Sequence, residues 1–157
     1  MLQSNPKISI RPHILVIDDS DIARTCMSDL LENAGFVVFE QPSAIGATRA
    51  IREHSICAVV VDVNMPGLSG DKLVGVLRKN QRLEGLVIIV VTGKTSHEVA
   101  TLSELDAADA VLFKEGLEGT LVRTLTRLLR TSSFRPSDSA SVQEEAAGVS
   151  RVPLTNR

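Results

Sequence analysis

Apolar residues along this chain follow two alternating rhythms. Ile14-Leu15-Val16-Ile17, Ala58-Val59-Val60-Val61, Leu86 to Val91 and Ala110 to Phe113 are short runs, apolar at every position. Such runs suit strands covered on both faces in a parallel sheet. Phe36 to Phe39 adds a fifth. Between them the apolar positions fall at helical spacing. Ile22, Met27, Leu30 and Leu31 mark a helix that starts near Ser20 and closes at Gly35. Ser43 offers an N-cap for a helix to about His54 with Ile45, Ala47, Ala50 and Ile51 facing inward. Ser69 offers one for a helix to about Asn80 carrying Leu73, Val76 and Leu77. Thr95 and Glu98 have capping-box spacing and open a helix expected to reach about Leu105. Leu117, Leu121, Leu125 and Leu128 form the stripe of a last helix, with Arg123, Arg127 and Arg130 on its other face.

Five strands alternating with five helices predict an α/β fold, a doubly wound five-stranded parallel sheet with helices on both faces. The expected strand order is 2-1-3-4-5, which makes strands one and three neighbours at the switch point. Residues 1–11, polar and proline-bearing, read as an N-terminal arm, and 12–130 as the folded domain. Residues 131–157, rich in serine with two prolines, read as a disordered C-terminal tail in which Phe134 is solvated.

The 157 residues suffice for one core and not comfortably for two. A net charge of −2 provides no basic footprint, and the absence of Trp and Tyr removes a stacking platform, so direct nucleic-acid binding is not expected. The longest apolar run, Leu86 to Val91, falls well short of the roughly 18 residues of a membrane span. Met1 to Ser9 lacks the apolar core of a signal peptide, which makes a cytoplasmic location the expectation. Cys26 and Cys57, with no C-x-x-C spacing, are expected to be small buried hydrophobes. His13, His54 and His97 lie in different elements and receive no role beyond surface or capping positions.

The candidate chemistry lies where the strands stop. The first ends in Asp18-Asp19 and the third in Asp62, followed by a Met-Pro-Gly turn. Three carboxylates meeting at one sheet edge repel one another unless their pKa values rise or a cation joins them. Hard oxygen ligands of this kind suit Mg²⁺. Thr92 ends the fourth strand with a hydroxyl, Gly93 leaves the approach open, and Lys114 ends the fifth with a positive charge. A carboxylate nucleophile, a divalent cation, a hydroxyl and a lysine are the parts needed to move a phosphoryl group onto Asp62.

On this ordered set, and on the segment Asp62-Val63-Asn64-Met65-Pro66-Gly67, the chain resembles the receiver domain of two-component response regulators over about residues 12–130, with that family's flavodoxin-like fold. The resemblance implies a stand-alone, chemotaxis-type receiver that accepts phosphate on Asp62 from a sensor histidine kinase or phosphotransfer protein. It implies Mg²⁺ held by Asp18, Asp19, Asp62 and the backbone carbonyl of Asn64, and sensing of the phosphoryl group by Thr92 and Lys114. Asn64 and Lys94 would tune its lifetime. Output would pass to a downstream protein, or to a second copy, through the surface of the fourth helix, fifth strand and fifth helix.

Two positions depart from the pattern. Glu115 stands where receivers usually have a proline after the lysine, and because a non-proline cis bond costs roughly 3 kcal/mol, a trans bond is expected. Val111 stands where many receivers carry the aromatic switch residue, and alternation puts Phe113 on the same face. A flavodoxin-like cofactor binder would need N–H and hydroxyl donors after strand one, where Asp18-Asp19-Ser20-Asp21 instead repels phosphate. A haloacid-dehalogenase-type phosphatase would need an acid where Asn64 stands. The remaining alternative is a receiver-like interaction module that acts without phosphorylation.

Overall fold

The computed structural model describes residues 11–134 and 151–153. Strands β1 (His13–Ile17), β2 (Val37–Gln41), β3 (Ala58–Asp62), β4 (Val87–Thr92) and β5 (Ala110–Phe113) alternate with helices α1 (Asp21–Asn33), α2 (Ala47–Glu53), α3 (Gly70–Lys79), α4 (Ser96–Val99) and α5 (Leu117–Thr131). All strand pairs are parallel, and these five take the expected order 2-1-3-4-5. A sixth short strand, β6 (Arg151–Pro153), continues the sheet beyond β2, with Val38 opposite Arg151 and Glu40 opposite Pro153. The sheet therefore has six strands among the described residues, and 151–153 is a strand where an unstructured tail was expected. The outer edge of β2 offers unpaired backbone groups that a three-residue segment can satisfy without any strong apolar pattern of its own. The rest of the expected tail from residue 135 on, and the arm up to residue 10, lie outside the described residues.

Alternation sorts the strand residues into two cores. Leu15, Ile17, Val59, Val61, Ile88 and Val90 face α2 and α3, packing on Ala47, Ala50, Ile51, Leu73, Val74 and Leu77. Ile14, Val16, Ala58, Val60, Ile89 and Val91 face α1 and α5, packing on Met27, Leu31, Leu117, Leu121 and Leu125. The central strands are buried on both faces, which is why they read as continuous apolar runs.

Several expectations from the helical rhythm are corrected. Ile22 is 79 % exposed in the first turn of α1, and Ile45 and Val76 are also exposed. Ser43 does not cap α2. Gly46 does, in the left-handed region (φ 81°), after a loop ordered by the buried Gln41 amide, which donates to the carbonyls of Ser43 and Ile45. Ser69 is the N-cap residue of α3, but its side chain makes no capping hydrogen bond. The capping box of Thr95 and Glu98 forms, yet α4 lasts one turn instead of reaching Leu105. Leu102 turns extended, and a 3-10 segment, Ser103–Ala107, follows. The apolar positions Val99, Leu102 and Leu105 recur every three residues, a spacing that suits tight turns better than an α-helical stripe. Phe134 packs against the α2/α3 core instead of lying in solvent. Cys26 is exposed, not a buried hydrophobe, and Cys57 is half-buried.

Candidate functional site

β1 and β3 run side by side with Ile17 opposite Val61, so the acids that follow emerge together. One carboxylate oxygen each of Asp18, Asp19 and Asp62 lies within 4.8 Å of the others. Asp18 and Asp62 are buried and Asp19 is exposed, which gives the cluster two fixed walls and one open side. Lys114 follows β5 and reaches across to both buried acids. Its Nζ donates to Asp18 Oδ2 at 3.1 Å and stands 3.3 Å from Asp62 Oδ1. The Lys114–Glu115 peptide is trans, as expected from the sequence.

Burial pushes the Asp62 carboxyl up from the usual carboxylate value, the negative charge of Asp18 pushes it further, and the Lys114 ammonium pulls the other way. The ammonium is itself held charged. Partial burial works against its proton, but the hydrogen bond to Asp18 and the charge of Asp62 outweigh it, and its pKa is raised. Three acids with one lysine leave a surplus of negative charge, and their oxygens form a donor set that fits a divalent cation.

Thr92 is fully buried at the end of β4. Its Oγ1 accepts the Lys94 N–H at 2.9 Å, while its carbonyl accepts the Lys114 N–H at 2.8 Å. The Lys94 side chain is half-buried and Asn64 is exposed on the loop after β3. Phe113, opposite Thr92 in the β4–β5 register, is 38 % exposed and lines an open pocket of about 350 Å³ with Thr92, Gly93, Lys94, Thr95, Ser96 and Glu115. Val111 is half-buried against the α2/α3 core.

Two residues at the site escaped the sequence reading. A Cβ on Gly70 would lie 2.2 Å from the Asp62 carbonyl oxygen, so only glycine lets the start of α3 approach the end of β3 this closely. Its N–H also donates to the Val63 carbonyl at 3.1 Å. A glycine after a serine cap resembles any helix start, and only the packed backbone reveals the constraint. Arg24, one turn into α1, donates to the Asp18 carbonyl at 2.8 Å, a contact with no sequence signature.

Five parallel strands in the order 2-1-3-4-5, wrapped by helices and ending in an acid-lined edge, place the chain in the flavodoxin-like class of α/β domains. This chain belongs to the response regulator receiver domain family, whose family model matches residues 14–126. It is 27 % identical over 138 residues to the aerobic respiration control protein ArcA of Escherichia coli K12, covering 88 % of this chain and 55 % of ArcA. It is 32 % identical over 99 residues to hybrid signal transduction histidine kinase D of Dictyostelium discoideum, covering 62 % of this chain and 6 % of that protein. Among solved structures, chemotaxis protein CheY4 of Vibrio cholerae superposes with a TM-score of 0.67 at 27 % identity, covering 75 % of this chain and 98 % of that one. The chain thus spans about half or less of the length of these two curated relatives. Receiver domains interact with histidine kinases or phosphotransfer proteins. No helix among the described residues is long and apolar enough to cross a membrane.

Proposed function

We propose that this receiver accepts a phosphoryl group on Asp62 from a phosphohistidine of a sensor kinase or phosphotransfer protein, and signals to another protein or a second copy through the surface of α4, β5 and α5. The observation that carries the reading is Lys114 Nζ held between the buried carboxylates of Asp18 and Asp62, at 3.1 and 3.3 Å. As an Asp62 oxygen bonds to phosphorus, the P–N bond of the donor breaks and its electron pair returns to the ring nitrogen, and the proton already on the other ring nitrogen makes the leaving group a neutral imidazole. Burial beside Asp18 makes the Asp62 carboxylate more basic and so a better nucleophile than a solvated one. Lys114, already between the acids, moves from pairing with carboxylates to pairing with phosphoryl oxygens. Thr92 can donate its hydroxyl proton to such an oxygen while still accepting the Lys94 N–H, since a hydroxyl does both at once. Asp18, Asp19, Asp62 and the Asn64 carbonyl would hold Mg²⁺, which when bound would supply positive charge to the same oxygens. Asn64 and Lys94 flank the acceptor and would set the lifetime of the phosphate.

Drawing Thr92 toward the phosphoryl group shifts the population of the β4–α4 segment, with Phe113 in place of the ring absent at Val111. Incubating the protein with Mg²⁺ and acetyl phosphate tests the reading by intact mass. A gain of one phosphoryl group, lost in Asp62→Ala, is expected. No gain by folded wild type would overturn it in favour of an interaction module that works without phosphorylation.

A further inference from the structure

Asp18 and Asp19 must present their carboxylates from a turn that lies beyond the sheet ladder, because the last β1 residue in register is Ile17, opposite Gln41 and Val61. The Asp18 N–H still reaches the Gln41 carbonyl at 3.3 Å. The Asp18 carbonyl has no strand to pair with, and Arg24 takes it, Nη1 to oxygen, at 2.8 Å. This carbonyl belongs to the rigid peptide plane joining Asp18 to Asp19, so its direction sets where the Asp19 side chain branches. The guanidinium is itself anchored. Nη2 donates to Asp21 Oδ1 at 2.5 Å and Nε lies 3.6 Å from Glu40 Oε2 on β2, and the Arg24 side chain is 14 % exposed. Two carboxylates around one guanidinium leave no surplus positive charge to oppose a cation. The planar fork meets a carbonyl and two acids through three separate nitrogens in fixed directions, whereas a lysine would have to reach all three from one ammonium nitrogen.

We infer that Arg24 is a positioning residue for the divalent-cation site: by clamping the Asp18–Asp19 peptide between α1 and β2, it holds both acids in the geometry that binds the metal. This rests on the reading of Asp18, Asp19 and Asp62 as a Mg²⁺ site. Charge and position predict opposite outcomes. Removing a positive charge near three acids should by electrostatics alone tighten cation binding, whereas loss of the clamp should weaken it.

The test is Mg²⁺ titration calorimetry on the unphosphorylated full chain, comparing wild type, Arg24→Gln and Arg24→Lys. Thermal unfolding with and without Mg²⁺ reports folding and metal-linked stabilisation together. Both variants are expected to bind Mg²⁺ about tenfold more weakly, the scale of losing an outer-shell partner of a metal ligand. Acetyl phosphate labelling is expected to return toward wild type at saturating Mg²⁺, because the nucleophile is untouched. Folded variants with wild-type or tighter affinity would overturn the inference while leaving the proposed function standing. A folded wild type that binds no Mg²⁺ would overturn both.

Discussion

Asp18 and Asp62 follow or end strands with a neighbour on either side, β1 between β2 and β3, and β3 between β1 and β4. The segment after β4 lacks such support. α4 buries none of its residues, a 3-10 segment replaces the rest of the expected helix, and β5 is the outer strand, only half-buried over most of its length. Groups that must hold a fixed geometry are thus fastened to the double-sided core, while the segment that would change shape has few buried apolar contacts and opens at low cost. Lys114 joins the two regions, since it follows the outer strand and its ammonium sits in the central acid cluster.

The largest effect should come from breaking the fixed region where it is tightest. Gly70→Ala forces a methyl against the Asp62 carbonyl, so α3 must shift as a whole. A loss of about 1–3 kcal/mol in stability is expected from such overpacking, read as an earlier urea midpoint, with slower labelling of Asp62. An unchanged midpoint would mean that the close approach carries no constraint.

A middle-sized effect concerns the stored repulsion. Because the native Asp62 pKa is raised above 3.8, the folded state holds this proton more tightly than the unfolded one. Stability from this group therefore falls as pH rises through the raised native value, and the cost vanishes below the unfolded value. Without Mg²⁺, Asp62→Asn should melt above wild type at neutral pH, and the gap should close on acidification. A constant gap across the pH range would show that Asp62 ionisation is not its source.

The smallest effect on stability should come from the loosely held region. Phe113→Ala is expected to cost about 1 kcal/mol or less, since the ring is partly solvated, and to leave Asp62 labelling nearly unchanged. Its mark should instead appear in amide shifts. The changes that a beryllofluoride phosphate mimic induces over residues 93–107 should shrink in the variant and persist in Val111→Ala. Equal responses in both would remove Phe113 from the switching role.

Legibility from sequence divides along the same boundary. The runs of β1, β3 and β4 were plain because burial on both faces demands apolar residues at every position, and Asp18, Asp19, Asp62, Thr92 and Lys114 were plain because each sits where such a run stops. α4 was not, since a sound capping box starts a helix without saying how far it runs. Ile22 misled because helical spacing alone does not say which apolar residue of a first turn meets the core, and Ile45 because α2 starts only after Gly46, which leaves that residue in the preceding loop. Phe134 and β6 depend on surfaces built by distant parts of the chain, the α2/α3 core and the open edge of β2.

By itself the order of apolar runs and strand-end polar residues determined a parallel α/β sheet and the identity of the acidic, hydroxyl and lysine groups at one edge, because period and chain reversal are local properties. Only the tertiary structure decided how those groups face one another. That Lys114 spans Asp18 and Asp62 follows from strand ends far apart in sequence being packed to within a few ångströms, whereas the grip of Arg24 on the peptide between two acids and the need for Gly70 to lack a side chain follow from how closely a helix start folds back on the strand end just before it.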